Sequence, residues 1–371
     1  MKILLIGNTM WSFYNFRVDL IKNIIGLGHQ VYILAPMDSS VNNLKNIPGC
    51  KLLDINISRK GINPIYEILL LFKIYSKIKE VKPDLIFNYT IKPIIYGSIA
   101  SWLAGVKNIA VTTGLGYIAI NKNLVSTISR YLYKLSLIFS NEVWFLNDDD
   151  QSYFISLRLV DNNKARILPG EGIDVDYFSN HHFKPFFSES FSFLLIARML
   201  SDKGIFEFVE AGRRIKNCFP GCKFILMGDI DTGNPNSIKK EQLEAWKKEG
   251  VIDYLPFEHD VRPFINKANC VVLPSYREGI PRTLLEASAM SKVVIASNVP
   301  GCKDVVINGE TGFLCEPKNV DSLVDTCTYV LGLKPSELLL IGRNGRNYVT
   351  NKYANEIVFD FYKKVIMKYK V

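Results

Sequence analysis

Residues 270–290 read CVVLPSYREGIPRTLLEASAM. Cys270-Val271-Val272-Leu273 is a short apolar run with β-branched members, and it reads as a buried strand. Pro274-Ser275 ends the run and Gly279 supplies a loop. Pro281 suits the first position of a helix, where its missing N–H costs nothing. Leu284, Leu285, Ala287, Ser288 and Ala289 carry that helix. Two carboxylates bracket the turn. Glu278 lies in the loop at the C-terminal end of the strand, and Glu286 lies more than one turn into the helix. Between them, the amides of Gly279, Ile280 and Arg282 sit at the positive helix end. Amides there hold phosphate or sugar oxygens, and carboxylates accept bonds from vicinal hydroxyls. The arrangement suits a nucleotide sugar. A plain strand–loop–helix, with Glu278 capping and Glu286 solvated, has the same letters, so the weight falls on whether a matching site occurs elsewhere.

It does, upstream. Phe193 to Ala197 reads as a strand, Arg198-Met199-Leu200-Ser201-Asp202-Lys203-Gly204 as a loop, and Ile205 to about Lys216 as a helix. Arg198 ends a strand and Lys203 starts a helix, so both point to the crevice where an α/β sheet reverses its strand order. A forked donor and a point charge at a helix N-terminus suit a diphosphate. Further strands read at Lys223 to Met227, Val251 to Leu255 and Val293 to Ser297, before helices that run to the end.

The first half repeats the alternation. Ile3 to Ile6 is a strand followed by Gly7-Asn8-Thr9. A helix from about Asn15 to Gly26 keeps Phe16, Val18, Leu20, Ile21, Ile24 and Ile25 inward, and Gln30 to Ala35 is the next strand. This is a βαβ unit, the start of a parallel sheet. The Gly7 loop occupies the phosphate position of a Rossmann-like fold. There is no GxGxxG, and Ala35-Pro36 stands where NAD folds carry an acid, which argues against NAD. Lys51 to Ile57 reads as a strand. Pro64 to Val81 reads as a helix with Ile65, Ile68, Leu69, Phe72, Tyr75 and Ile78 on its apolar face. Its lysines 73, 77 and 79 read as a solvated face or a contact for lipid headgroups. Strands follow at Asp84 to Asn88 and Ile109 to Thr113, the latter entering Gly114-Leu115-Gly116, where a ligand can approach the backbone closely. Leu124 to Ile138 is an amphipathic helix with Arg130, Lys134, Tyr131 and Tyr133, a candidate for a membrane interface. Glu142 to Leu146 and Arg166 to Pro169 complete the strands of this half. Asp148-Asp149-Asp150 and Asp229-Ile230-Asp231 match the metal–diphosphate DxD pattern; the first starts a helix, the second lies in a polar turn, and both read as structural.

The chain has 371 residues, the length of two domains. Apolar content of 48% and mean hydropathy of +0.10 describe a globular chain. The wholly apolar runs are about five residues long, against about twenty for a bilayer span. MKILLIGN is too short an apolar run for a signal peptide. The seven cysteines include no CxxC pair, and histidines 181 and 182 have no spaced partners. That pattern fits a reducing cytoplasm and no metal. Net charge of +9 favours an anionic partner. No RNP-type aromatic motif and no long basic run points to nucleic acid, which leaves a phosphorylated substrate or an anionic membrane surface.

Together, the Gly7 loop, Arg198 with Lys203-Gly204, Gly228, Pro274-Ser275, Glu278 with Glu286 as E-x7-E, and Asn308-Gly309-Glu310-Thr311-Gly312-Phe313 resemble the retaining glycosyltransferases of family 4 over nearly the full length. That resemblance implies the GT-B fold: α/β, two Rossmann-like doubly wound domains facing a central cleft. The domains are expected at 1–178 (acceptor side) and 179–354 (nucleotide sugar), with an irregular linker from Phe178 to Ser192 and a last helix, 355–371, crossing back. Within the family the chain is most similar to bacterial enzymes that assemble O-antigen, capsule or N-glycan precursors on a polyprenyl diphosphate.

The resemblance also implies roles. Arg198 and Lys203 hold the donor diphosphate and stabilise the departing nucleotide. Glu286 binds ribose hydroxyls. Glu278, with the Gly279 and Ile280 amides, orients the sugar and counts with Arg198 and Lys203 as catalytic. Gly7 lies near the phosphates. Asn15, Arg17, Thr113 and Gly114 fall on the acceptor side. Many members carry a histidine where this chain has Thr112-Thr113-Gly114, so the leaving phosphate, not a side chain, is expected to take the acceptor proton. The donor is expected to be a UDP-sugar, with an N-acetylhexosamine as a candidate, and the acceptor a lipid-diphosphate sugar at the cytoplasmic face of the inner membrane, reached by peripheral contact. No cofactor, metal or nucleic acid is expected. A UDP-sugar epimerase of the same fold and a non-catalytic nucleotide-sugar- or lipid-binding protein are the alternatives; transfer to an acceptor separates them.

Overall fold

The computed structural model describes residues 1–58, 63–114, 124–180 and 190–370. The chain divides into two compact units, Met1–Gly172 with Asn355–Val371, and Ile173–Ala354. The division thus comes before 178. The cause is local: the Ile173 amide donates to the Tyr353 carbonyl at 3.0 Å, and Ile173 and Phe178 sit in the second unit's apolar core. Arg346 adds bonds to the carbonyls of Val175 (3.0 Å) and Phe178 (3.1 Å). Most of the expected linker, with His181 and His182, lies outside the described residues, as do Leu115 and Gly116.

In the first unit, β1 (Lys2–Ile6), β2 (Gln30–Ala35), β3 (Cys50–Asp54), β4 (Leu85–Tyr89), β5 (Lys107–Thr112), β6 (Glu142–Phe145) and β7 (Ala165–Ile167) form a sheet of order β3-β2-β1-β4-β5-β6-β7. Every neighbouring pair is parallel; Ile6, for example, lies opposite Leu34 and Asn88. The order reverses between β1 and β4. β4 is buried throughout and β1 from Ile3 onward, as expected where helices cover both faces. Leu4, Ile6, Leu34 and Ile86 face the helix Pro64–Val81. On the other face, the helix Asn355–Lys368 brings the Tyr362 ring 5.1 Å from Phe87 and 4.9 Å from Trp144. Its hydroxyl pairs with that of Tyr89 at 3.1 Å.

Two expectations need correction here, and one pair of elements is new. The first helix spans Met10–Gly26, because the Thr9 side chain accepts from the Ser12 amide at 3.1 Å and caps it earlier than Asn15. In the helix Pro64–Val81 the buried residues are Leu70, Ile74, Ile78 and Val81, whereas Ile65, Ile68, Leu69 and Phe72 are exposed. This helix is apolar on two stripes, and periodicity alone does not say which stripe meets the sheet. Between β4 and β5 a π-helical turn, Pro93–Gly97, runs into a short helix, Ser98–Leu103. The π-helical turn is mostly buried, with Pro93, Ile94, Ile95 and Gly97 inside, and neither element carries a charged face to betray it.

In the second unit, β8 (Ser192–Ile196), β9 (Lys223–Met227), β10 (Asp253–Leu255), β11 (Cys270–Leu273), β12 (Val293–Ser297) and β13 (Phe313–Cys315) form a parallel sheet of order β10-β9-β8-β11-β12-β13. Alternate residues of each strand enter opposite cores. Phe193, Leu195, Phe224, Val272 and Ile295 pack on the helix Ile205–Cys218. Leu194, Ile196, Val271, Leu273 and Val294 pack on the helix Arg282–Ala289. Each such buried side chain contributes roughly 1.5–3 kcal/mol. The order reverses between β8 and β11, so this sheet too is doubly wound with one switch point. The cysteines are free thiols. Burial pushes the thiols of Cys270 and Cys302 up, so they are poor nucleophiles. No helix among the described residues is long and apolar enough to cross a membrane.

Candidate active site

The second unit's switch point lies at the C-terminal ends of β8 and β11, and there two of the expected donor residues, Lys203 and Glu278, meet. Arg198 and Lys203 leave β8; Glu278 leaves β11. The Lys203 ammonium donates to the Glu278 carboxylate at 2.5 Å, with both side chains mostly buried. Two backbone bonds hold the β11 loop between its neighbours. The Tyr276 amide donates to the Asp202 carbonyl at 2.9 Å, and the Glu278 amide to the Pro300 carbonyl at 3.3 Å. The loops also touch at glycines. A Cβ on Gly204 would lie 2.1 Å from the Pro274 carbonyl oxygen, and one on Gly301 would lie 2.3 Å from that of Gly279. Both glycines have positive φ, at 72° and 83°, so only glycine allows this close knitting.

Arg198 is more open. Its guanidinium lies 3.6 Å from the Asp231 carboxylate. The amide of Met199 donates to the Asp229 carbonyl at 3.0 Å, which fixes the two loops together. Asp231, read from sequence as structural, is therefore a neighbour of Arg198, while Asp229 accepts from the Phe257 amide at 3.2 Å. Asp148 to Asp150 occupy the first turn of a helix capped by Asn147, a structural place.

Pro281 is the residue just before the helix Arg282–Ala289, not its first member. Glu286 is in that helix, mostly buried, and accepts from Arg282 Nε at 2.9 Å. Arg282 was not singled out, although its four-residue spacing from Glu286 is the signal that finds such pairs. Burial pushes the Glu286 carboxyl up; the Arg282 charge and hydrogen bond pull it partly back. A raised carboxyl favours the fold below its ordinary range and loses that contribution as pH rises through the folded value. For binding, the sign is opposite. If Glu286 accepts from ribose hydroxyls, as the resemblance implies, protonation removes that acceptor. Donor KM is accordingly expected to rise as pH falls through the raised Glu286 value, and Glu286→Gln is expected to flatten that dependence. Initial rates across pH at varied donor check this; an unchanged profile in the variant contradicts it.

In the first unit, Gly7 follows β1 and donates its amide to the Leu34 carbonyl at 3.1 Å. A Cβ there would press on the Phe13 ring at 2.6 Å. Thr90 follows β4 with φ of +69°, a left-handed non-glycine residue at that unit's switch point that sequence reading missed. Thr113 and Gly114 follow β5, half-buried. Asn15 donates to the Trp11 carbonyl at 2.9 Å within its own helix. Arg17 is buried: it pairs with Glu171, lies 4.1 Å from the Tyr89 ring centroid and donates to the Ser12 carbonyl at 3.2 Å. That is the environment of an internal clamp, not of a side chain turned to an acceptor.

Comparison with known proteins follows the same division. Residues 178–347 match the family of glycosyl transferases group 1, and residues 2–147 match the glycosyl transferase 4-like family. Among curated relatives, the chain is 28% identical to the N,N'-diacetylbacillosaminyl-diphospho-undecaprenol alpha-1,3-N-acetylgalactosaminyltransferase of Campylobacter jejuni, over 89% of each chain. It is 26% identical to the UDP-Gal:alpha-D-GlcNAc-diphosphoundecaprenol alpha-1,3-galactosyltransferase of Escherichia coli, over 79% of this chain and 78% of that one. Among solved structures, Anabaena HepE in complex with UDP and glucose superposes with a TM-score of 0.78 at 17% identity, over 99% of this chain and 100% of that one.

Proposed function

This chain belongs to the group 1, family 4-type glycosyltransferases with the GT-B fold, and from that membership we propose that it is a retaining α-glycosyltransferase. In this reading it moves a sugar from a UDP-sugar, an N-acetylhexosamine among the candidates, to a polyprenyl-diphosphate-linked sugar during surface polysaccharide or glycan assembly. The observation that carries the reading is the Lys203–Glu278 contact of 2.5 Å at the second unit's switch point, with Arg198 leaving the same strand as Lys203. The names of the two curated relatives support the lipid-diphosphate acceptor, and UDP recurs in one of those names and in the solved neighbour.

The division of labour follows from charge. Lys203 has three N–H donors, so it can keep Glu278 and still donate to a phosphate oxygen. Arg198 offers a fork. As the bond from the sugar's C1 to the phosphate oxygen breaks, negative charge grows on the diphosphate, and fixed cations aimed there favour the transition state over the ground state. The acceptor oxygen bonds to C1 on the same face, and its proton passes to the departing phosphate, so no side chain need act as base. Glu278 and the Gly279 and Ile280 amides orient the donor sugar, and Glu286 takes the ribose. Gly7 is assigned to the phosphates, and Thr113 and Gly114 to the acceptor side of the reaction. The cations make a metal-independent transfer the expected mode, at the cytoplasmic face of an anionic membrane that the enzyme meets peripherally.

The test is a screen of UDP-sugars against a synthetic polyprenyl-diphosphate sugar, read by mass, with and without a chelator. One donor is expected to add one sugar to the acceptor regardless of chelator. Hexose epimerised with no acceptor, or UDP binding with no turnover on any acceptor, would overturn the reading.

A further inference from the structure

Among the described residues, one face of the first unit is apolar and exposed. On the helix Pro64–Val81, Ile65, Tyr66, Ile68, Leu69 and Phe72 point outward, with Ile68 55% and Phe72 62% exposed. On the helix Leu124–Ile138, Tyr131, Leu135 and Ile138 do the same, Tyr131 being 72% exposed. The short helix Ser98–Leu103 packs between these two, and its exposed Trp102 stacks on Phe139 at 4.4 Å. The exposed side chains thus belong to neighbouring elements of one layer. Tyrosine and tryptophan among aliphatic residues are the mixture that settles at a membrane interface.

Charge selects the occupant. Residues 63–114 and 124–138 carry eight lysines and arginines against three acids, Glu67, Glu80 and Asp84. All three acids are engaged: Glu67 with Lys92, Glu80 with Lys77, and Asp84 with the Lys2 amide. The surface surrounding the apolar stripe is therefore basic, which fits anionic headgroups.

Position gives the face a purpose. In a parallel α/β sheet the covering helix runs back against the strands, so the N-terminus of Pro64–Val81 lies at the C-terminal edge, where the Gly7 and Thr90 loops are. The Lys92–Glu67 ion pair fastens that N-terminus to the loop that follows β4. The exposed apolar residues are concentrated in this N-terminal half; Lys73, Lys77 and Lys79 follow in the other. Resting on the lipid acceptor named above, we infer that the outward stripe of Pro64–Val81, flanked by Leu124–Ile138, docks on an anionic phospholipid bilayer and delivers the membrane-held acceptor diphosphate to the first unit's switch point.

The experiment uses the full chain and vesicles of phosphatidylglycerol with phosphatidylethanolamine, against vesicles of phosphatidylcholine alone. Sedimentation of the unaltered protein is expected with the anionic vesicles and to weaken with salt. Ile68→Glu/Phe72→Glu is expected to bind at least about tenfold less, and Lys73→Gln/Lys79→Gln to lose binding to the anionic vesicles in part. In transfer assays the first variant is expected to raise KM for acceptor embedded in vesicles and to match the unaltered enzyme on a short-chain, water-soluble acceptor. Vesicle binding lost in the variant with no sugar transfer by any form would support this surface while overturning the function proposed above. Equal vesicle binding by the unaltered and Ile68→Glu/Phe72→Glu proteins would overturn the inference, as would a dimer that the variant splits with vesicle binding unchanged.

Discussion

Replacing Lys203 by alanine is expected to lower kcat by about a hundredfold or more, since removing one preorganised donor aimed at developing charge costs about 2.7–4 kcal/mol. Two losses combine. The departing diphosphate loses a fixed cation. The Glu278 carboxylate, 14% exposed and bonded to Lys203 at 2.5 Å, is left as an unpaired anion facing the donor's phosphates. The second loss adds a repulsion that a simple deletion would not. Donor KM is expected to rise as well. Lys203→Ala/Glu278→Gln should recover part of the donor affinity by removing that repulsion, and little of kcat. Arg198→Ala should lower the rate with little of the repulsive part, because Arg198 and the Asp231 carboxylate 3.6 Å away are both open to solvent, which screens the charge left behind. Initial rates at saturating donor decide this. A Lys203→Ala enzyme within threefold of the unaltered kcat would refute the assignment.

The second large effect is on stability. Arg17→Met is expected to cost about 3–5 kcal/mol, because removing one partner of a buried ion pair leaves the other charge uncompensated. Arg17 is 4% exposed and its partner Glu171 20%; the Ser12 carbonyl and the Tyr89 ring face lose their contacts too. At about 2–4 °C per kcal/mol for a unit of this size, the first unit's melting transition should fall by roughly 10 °C. Arg17→Lys should not restore it, since an ammonium lacks the planar fork. Calorimetry on the unaltered and variant chains checks the result. An unchanged melting transition with a raised acceptor KM would instead return Arg17 to the acceptor side, where its sequence position first put it.

Much of the fold is written in short runs. Gln30–Ala35, Lys223–Met227, Cys270–Leu273 and Val293–Ser297 were legible to the residue because strands buried on both faces need continuous apolar stretches, and glycine, proline or polar residues stop them. The helix Pro64–Val81 was legible in extent because Asn63 caps it, Pro64 opens it and Lys82 ends it in a left-handed turn. Its inward face was not, since an excess of apolar residues leaves two stripes that satisfy the same period. That excess is itself the trace of a second partner, and the sequence holds no mark for which stripe the sheet takes. Of the expected donor residues, Lys203 and Glu278 were picked out by type and position, and the structure brings those two into contact. Asp231 beside Arg198, and Thr90 at its strand end, were not legible. Both depend on which loops the strand order makes neighbours, and that order is a long-range property.

The central claim is that the second unit's switch point grips a nucleotide diphosphate through Lys203 and Arg198, with Glu286 on the ribose. Titration calorimetry with UDP tests it most directly, because it needs neither the sugar nor the acceptor to be identified. The account predicts saturable binding to the unaltered chain, weakened at least about tenfold in Lys203→Ala, the loss of a charge-assisted contact worth about 1.5–3 kcal/mol. UDP bound equally well by the unaltered chain, Lys203→Ala and Glu286→Ala would contradict it.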